Sequence, residues 1–337
     1  MNPVRFALLG YGHIGRRHAL HIRQHPDAEL VAVCDTDPSK LSTPELAALP
    51  TFSDPETMLR SVKADVVNIC TPNYLHHPHA LMALQQGFHA VVEKPMALST
   101  SECSDMIEAA EKSERTIFVV KQNRYNEPVQ QVKQLLDEGV LGEVYLVQVN
   151  CFWNRNEAYY RQSAWRGGKK TDGGCLFTQF SHFVDILYYL FGEVADIQGK
   201  VSHRAHPYTE VEDNGSFVMK TPKGALVNLN FSTCSYEKNM EGAITVLAEH
   251  GTVKIGGQYL NTLEYQHIRD RVLPPIAIQA KANDYGLYQG SMSNHDRVID
   301  NVVQTLRGQA VAMTNAREGR EVVAMIEQMY RAAQANL

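Results

Sequence analysis

Three features of the sequence predict an α/β protein, with a doubly wound parallel sheet at the amino terminus and an α+β domain built on a large, mainly antiparallel open sheet behind it. Up to about residue 122, short apolar runs alternate with helical patterns, the signature of parallel strands joined by crossover helices. Beyond Gly192, five strand-like runs follow one another with no helix between them, which calls for antiparallel pairing. The length of 337 residues exceeds the usual size of one domain. Domains at 1–122 and 123–337 are therefore expected.

In order, the apolar runs VRFALLG (4–10), ELVAVCD (29–35), DVVNICTP (65–72), FHAVVEKP (88–95) and TIFVV (116–120) read as strands. Helical patterns lie near 14–24, 54–61, 78–86 and 99–112, where Ser99 and Glu102 have capping-box spacing. After KQNRYN a helix at 127–138 ends at Gly139, and a strand covers 143–152. An irregular stretch rich in Arg and Tyr leads to a helix at 174–191. Strands follow at 194–203, 214–220, 225–233, 242–249 and 252–255, separated by turn signals such as TPKG and EHGT. Helices at 295–306 and 316–334 close the chain, the last expected to pack back on the first domain.

Composition narrows the function. Lys and Arg total 32 against 37 Asp and Glu, a formal charge of -5 with no long block of either sign, which argues against nucleic acid or an anionic membrane as main partner. The six cysteines are scattered without a CxxC pair or zinc-like Cys/His spacing, as expected of small apolar fillers in a reducing compartment. Arg5 stands where a signal peptide needs its apolar core, and no apolar run approaches the ~18 residues of a membrane helix. A cytoplasmic protein is expected.

LLGYGHIGRRH places Gly10, Gly12 and Gly15 in GxGxxG spacing between a strand and a helix, and Asp35 ends the second strand. The first glycine makes the turn, the second lets amides approach a pyrophosphate, and the third permits close helix packing. Asp35 suits ribose hydroxyls and repels a 2'-phosphate, so NAD is favoured over NADP; Arg16 and Arg17 nearby either reach a phosphate or form a solvated face. Ligands of such sheets sit beyond the strand carboxyl ends, where Thr71, Pro72 and Asn73 line the cofactor and Lys94 follows a buried strand. His76, His77 and His79 lack a suitably spaced carboxylate, so no metal is expected. Lys94 can bond a sugar hydroxyl with its pKa lowered beside a cationic nicotinamide. In DGGCLFTQFSHFVD, His182 is either a core residue or a general base, and helical spacing puts Thr178 on its face. Asp185 either orients the imidazole or anchors the helix.

GYGHIG, Asp35, TPN at 71–73, EKP at 93–95 and the GG…H…D segment at 173–185 together resemble the Gfo/Idh/MocA oxidoreductases over nearly the whole chain. The resemblance implies a Rossmann domain, a mixed-sheet domain whose open face packs in dimers or tetramers, and NAD- or NADP-dependent chemistry on sugars and cyclitols. It implies that Lys94 contacts the reacting hydroxyl and His182 acts as acid or base. It extends the cofactor contacts to His13, Ile14, His76, Glu93, Gln122, Trp165 and Arg166, and the substrate contacts to Arg124, Tyr125, Tyr159, Arg161 and Gln179. Thr178 departs from the family, which often has an aspartate four residues before the histidine.

KQNRYNEPVQQVKQLL, NEAYYRQSAWRG and DGG are similar to a narrower branch that oxidises the 3-hydroxyl of UDP-N-acetylglucosaminuronate, where an uncharged residue at the Thr178 position is common. Arg155, Arg161, Arg166, Lys169 and Lys170, with Tyr159, Tyr160 and Trp165 among them, form a stretch suited to diphosphate and carboxylate oxygens and to stacking a base, or else a solvated loop. Two alternatives stay open: a free sugar or inositol as substrate, and a non-catalytic NAD-binding regulator.

Overall fold

Parallel strands need crossover connections, and in the computed structural model, which describes residues 2–276, 282–284 and 289–334, helices supply them. The first elements are β1 (Val4–Leu9), α1 (His13–Gln24), β2 (Ala28–Cys34), α2 (Pro38–Leu41), β3 (Thr51–Phe52), α3 (Pro55–Ser61), β4 (Val66–Ile69), α4 (His76–Gln85), β5 (His89–Val92), α5 (Thr100–Ser113) and β6 (Ile117–Val119). Six strands form a parallel sheet in the order β3-β2-β1-β4-β5-β6. The order reverses between β1 and β4, which opens a crevice at their carboxyl ends. All four residues of β4 are buried, Asn68 among them. Five strands were expected; β3 is the addition, and its two residues are too few to show a period. Ser99 caps α5 by accepting from Glu102 N–H at 3.2 Å, while Glu102 reaches back to Leu98 N–H at 3.0 Å.

The later elements are α6 (Glu127–Asp137), β7 (Val144–Phe152), α7 (Glu157–Arg161), α8 (Cys175–Thr178), α9 (Ser181–Phe191), β8 (Ala195–Ser202), β9 (Asn214–Lys220), β10 (Leu226–Ser232), β11 (Glu241–Ala248), β12 (Gly251–Gly256) and β13 (Thr262–Ile268). Two short strands, β14 (Ala282–Asp284) and β15 (Gln289–Met292), precede α10 (His295–Leu306) and α11 (Ala316–Gln334). Seven strands make a sheet in the order β13-β12-β11-β7-β10-β9-β8, antiparallel except where β7 meets β10. β10 alternates strictly, with Val227, Leu229 and Phe231 buried. The opposite face carries Val218, Leu226, Leu247 and Tyr265, each at least 36% exposed. At its centre runs a ladder of side chains bonded to one another: Gln148 and Asn230 donate to Asn150 Oδ1, each at 3.3 Å, and Ser216 donates to Asn230 Oδ1 at 2.7 Å.

The chain forms two compact units, 1–121 with 295–323 and 122–294 with 324–337. The return segment joins the first unit through α10 against α1 and through Val119 N–H, which donates to Thr314 O at 3.2 Å.

The helix expected at 174–191 is broken. α8 ends at Thr178 and α9 starts at Ser181, with Phe180 at φ -106° and ψ 3°. The ring of Phe180 lies 5.7 Å from that of Trp153 and 5.1 Å from that of Phe231, so core packing holds the break. The sequence conceals it because both halves are apolar. The stretch expected to be irregular also contains α7, capped by Asn156 accepting from Tyr159 N–H at 3.0 Å. Phe180→Ala should empty this core position and lower unfolding free energy by roughly 3–5 kcal/mol, read from denaturant unfolding of the whole chain.

Candidate active site

The first unit presents a turn and helix end shaped for an anion. Gly10 sits at φ +91°, and a Cβ there would stand 2.6 Å from Cys70 O; at Gly15 it would stand 1.9 Å from Gly10 O. At Gly12 nothing lies within 4 Å of that position, which leaves room over the backbone. α1 begins there with exposed His13 and half-buried Ile14, no side-chain cap and no acidic residue in its first turn, so its leading amides meet no competing anion. Asp35 is 7% exposed, and its carboxylate accepts from Tyr11 N–H at 2.7 Å and Asp37 N–H at 2.9 Å. Lys40 pairs with it at 3.2 Å, a cation beside the acid that no spacing rule pointed to. These residues fit the diphosphate and ribose of NAD.

Thr71 and Pro72 are half-buried after β4, Asn73 is buried, and Thr71 Oγ1 meets His79 Nδ1 at 3.1 Å. Two residues expected at the cofactor bond to the protein itself. His76 is 1% exposed, with its ring nitrogens 2.7 Å from Pro95 O and 2.9 Å from Thr71 O; burial lowers its pKa against the pull of these carbonyls. Glu93 is 5% exposed and accepts from His18 Nε2 at 2.9 Å and Lys94 N–H at 3.1 Å. The chain on either side of half-buried Lys94 is thus clamped, by Glu93 before it and His76 after it. His18 was not expected here, although it falls on the inward stripe Gly15, His18, Ala19, Ile22 of α1.

In the second unit, His182 is 4% exposed near the start of α9, and Thr178, 7% exposed, ends α8. The break falls between the two residues, so they stand on different helices. Thr178 donates to the Asp172 carboxylate, and Asp172 also accepts from Gly167 N–H at 2.8 Å. A carboxylate does therefore stand at Thr178, six residues earlier in the chain than the Thr hydroxyl it meets.

Arg124, expected at the substrate, is 1% exposed and forms a two-pronged pair with Asp185 at 3.0 and 2.8 Å. That bond makes Asp185 an anchor of α9, and removing either partner would strand a buried charge. The neighbouring turn holds buried Gln122, whose carbonyl accepts from Asn294 at 3.2 Å, and half-buried Tyr125. Gln179 and Tyr159 also turn inward. Gln179 accepts from Arg155 Nε at 2.7 Å and donates to Tyr159 Oη, and Arg155, 2% exposed, lies over the Trp153 and Tyr159 rings.

The expected cationic surface is thereby dispersed. Arg155 is buried; Arg161 is exposed and paired with Glu157 at 2.7 Å; half-buried Arg166 lies 4.2 Å over Tyr159 and 5.9 Å from the half-buried Trp165 ring; Lys169 and Lys170 are exposed. Sequence position alone could not separate buried from exposed arginines in an irregular stretch.

Residues 4–121 match the model of an oxidoreductase family with an NAD-binding Rossmann fold, and 129–254 match the GFO/IDH/MocA C-terminal domain. The chain belongs to the Gfo/Idh/MocA oxidoreductase family. Its cofactor is accordingly NAD. A crystal structure of the WlbA dehydrogenase from Bordetella pertussis, in complex with NADH and UDP-GlcNAcA, is 35% identical with a TM-score of 0.90 and covers 100% of this chain and 98% of that one. D-glucoside 3-dehydrogenase of Escherichia coli K12 is 32% identical over 197 residues, 57% of this chain and 55% of that one, so the match spans about half of that relative. 2,7-anhydro-N-acetylneuraminate hydratase of the same organism is 26% identical over 278 residues, 78% of this chain and 73% of its own length. These relatives carry different activities, so membership leaves the substrate to the residues.

Glu212 anchors α8, accepting from Cys175 N–H at 2.8 Å and from the Tyr330 hydroxyl at 2.6 Å, and burial raises its pKa to about 7. With 4.5 as its ordinary value, the folded chain holds this proton more tightly than the unfolded one. Its contribution to stability is therefore fully present below the ordinary value and lost as pH rises through about 7. Unfolding free energy measured across that range should fall with pH, and the part due to this group should vanish in Glu212→Gln.

Proposed function

We propose that the chain oxidises the 3-hydroxyl of a UDP-linked N-acetylamino sugar acid. The observation that carries this reading is the full-length likeness to the Bordetella pertussis enzyme with its bound NADH and UDP-GlcNAcA. NAD supplies the hydride acceptor. Lys94 hydrogen-bonds the reacting oxygen and favours its developing negative charge, and His182 takes the hydroxyl proton as general base, a task suited to an imidazole near neutral pH. Thr178, held by Asp172, places the sugar. Gly10, Gly12, Gly15 and Asp35 seat the dinucleotide.

A free glucoside is the second reading, favoured by the dispersal of the cationic stretch, since only part of it faces solvent. Formation of NADH absorbance with UDP-N-acetylglucosaminuronate and with simple glucosides separates the two. Turnover of the nucleotide sugar is expected, with roughly 100-fold or greater loss in Lys94→Ala and His182→Ala; turnover of free glucosides alone would reject the first reading.

The open face of the seven-stranded sheet is proposed as the contact with a second copy. Val218, Leu226 and Leu247 supply apolar area, and no helix among the described residues is long and apolar enough to cross a membrane. The cytoplasm is the proposed location. Val218→Glu with Leu226→Glu should reduce the mass measured by light scattering to a smaller assembly; an unchanged mass would place the contact elsewhere.

A further inference from the structure

Behind Lys94 the first unit holds a polar cluster: His18 and His295 are 0% exposed and Glu93 is 5% exposed. Glu93 Oε1 accepts from His18 Nε2 at 2.9 Å, Oε2 accepts from Lys94 N–H at 3.1 Å, and His295 Nε2 stands 3.7 Å from Oε1. On its other edge, His18 Nδ1 accepts a hydrogen bond from the Asn68 amide at 2.8 Å, in the middle of β4. Because Asn68 donates to Nδ1, the single proton of a neutral His18 lies on Nε2 and points at Glu93. Burial alone would raise the Glu93 carboxyl, but the two imidazoles overcome it and hold it well below the usual carboxylate range; burial keeps His295 neutral, with its pKa lowered to about 4.

A carboxylate at this depth is costly, and β5 itself is held by backbone pairing on both sides. The three side chains are close enough together to suggest a metal. The 2.9 Å contact is shorter than the ~3.3 Å between neighbouring ligands of a tetrahedral zinc, and the second oxygen is bonded to Lys94 N–H, so hydrogen bonds account for the geometry. The feature that distinguishes this carboxylate is the residue it holds.

We propose that Glu93 and His18 are positioning residues for Lys94: Glu93 fixes the Lys94 peptide and favours the charged amine, and His18 fixes Glu93. This rests on the reading of Lys94 as the group that bonds the reacting hydroxyl. His18 rides on α1, three residues after Gly15, so the helix that receives the diphosphate also sets the lysine. The other titratable groups facing Glu93 are Cys70 and His76, and burial keeps the first a thiol and lowers the pKa of the second.

The test is trace acetylation of the full chain with acetic anhydride across pH, with Lys94 followed by peptide mass spectrometry, alongside steady-state kinetics and NADH binding. Glu93→Gln keeps the side-chain size and still accepts from Lys94 N–H. It should lower the Lys94 pKa by about one unit and move the alkaline limb of kcat to lower pH. kcat should fall roughly tenfold to 100-fold, while KM and the Kd for NADH stay within about twofold. His18→Leu should show the same fall in kcat, and His18→Gln, whose amide can donate to Glu93, should recover most of it. If His18→Leu fails to fold, Glu93→Gln decides alone. An unchanged Lys94 acetylation profile in Glu93→Gln overturns the proposal. If that profile shifts while Lys94→Ala turns over normally, the placement stands and the catalytic reading of Lys94 is what fails.

Discussion

A methyl group on Gly15 would fall 1.9 Å from Gly10 O, so α1 can seat on the turn after β1 only because that position has no side chain. The rest of the first unit depends on this contact. It brings the leading amides of α1 to the crevice where the strand order reverses. It also lays the stripe Gly15, His18, Ala19, Ile22 against the sheet, which is how an imidazole reaches a carboxylate at the end of β5. One steric requirement thus serves both the dinucleotide and the residue that follows that carboxylate.

The parallel sheet was legible because its determinants are local: β-branched runs, a glycine turn and an acid at a strand end. The antiparallel sheet was legible for the same reason, from turn signals between alternating runs. β13, which pairs with β12 across the turn at Gly257, was missed because in Thr262–Ile268 only Leu263 and Tyr265 alternate with polar residues, too short a run to show a period. The broken helix was missed because the break is a tertiary effect: Phe180 enters an aromatic core assembled from Trp153 just after β7, Phe231 of β10 and Phe183 of α9, and no residue in the stretch announces it.

The side-chain roles were less legible where they depend on depth. Gly10, Gly12, Gly15 and Asp35 lie where motif mechanics put them. Arg124, Arg155, His76 and Glu93 share one outcome, in that their polar atoms are claimed by the protein itself. Charged and polar residues buried this far must have partners, and a partner such as Asp185, 61 positions from Arg124, leaves no trace in local spacing. Asp172 is the converse case. It lies just before the helix expected at 174–191, and it brings a carboxylate to Thr178, where the aspartate common in the family is absent.

The amide ladder on the open face has a consequence for how that face behaves when covered. Asparagines and glutamines at the centre of a sheet would ordinarily resist losing their water, because each dry amide forfeits hydrogen bonds. Here Gln148, Asn150, Asn230 and Ser216 already spend several of theirs on one another. Dehydrating this surface therefore costs less than its composition implies, and its hydrophilic centre is compatible with a dry contact that Val218, Leu226 and Leu247 extend along one side.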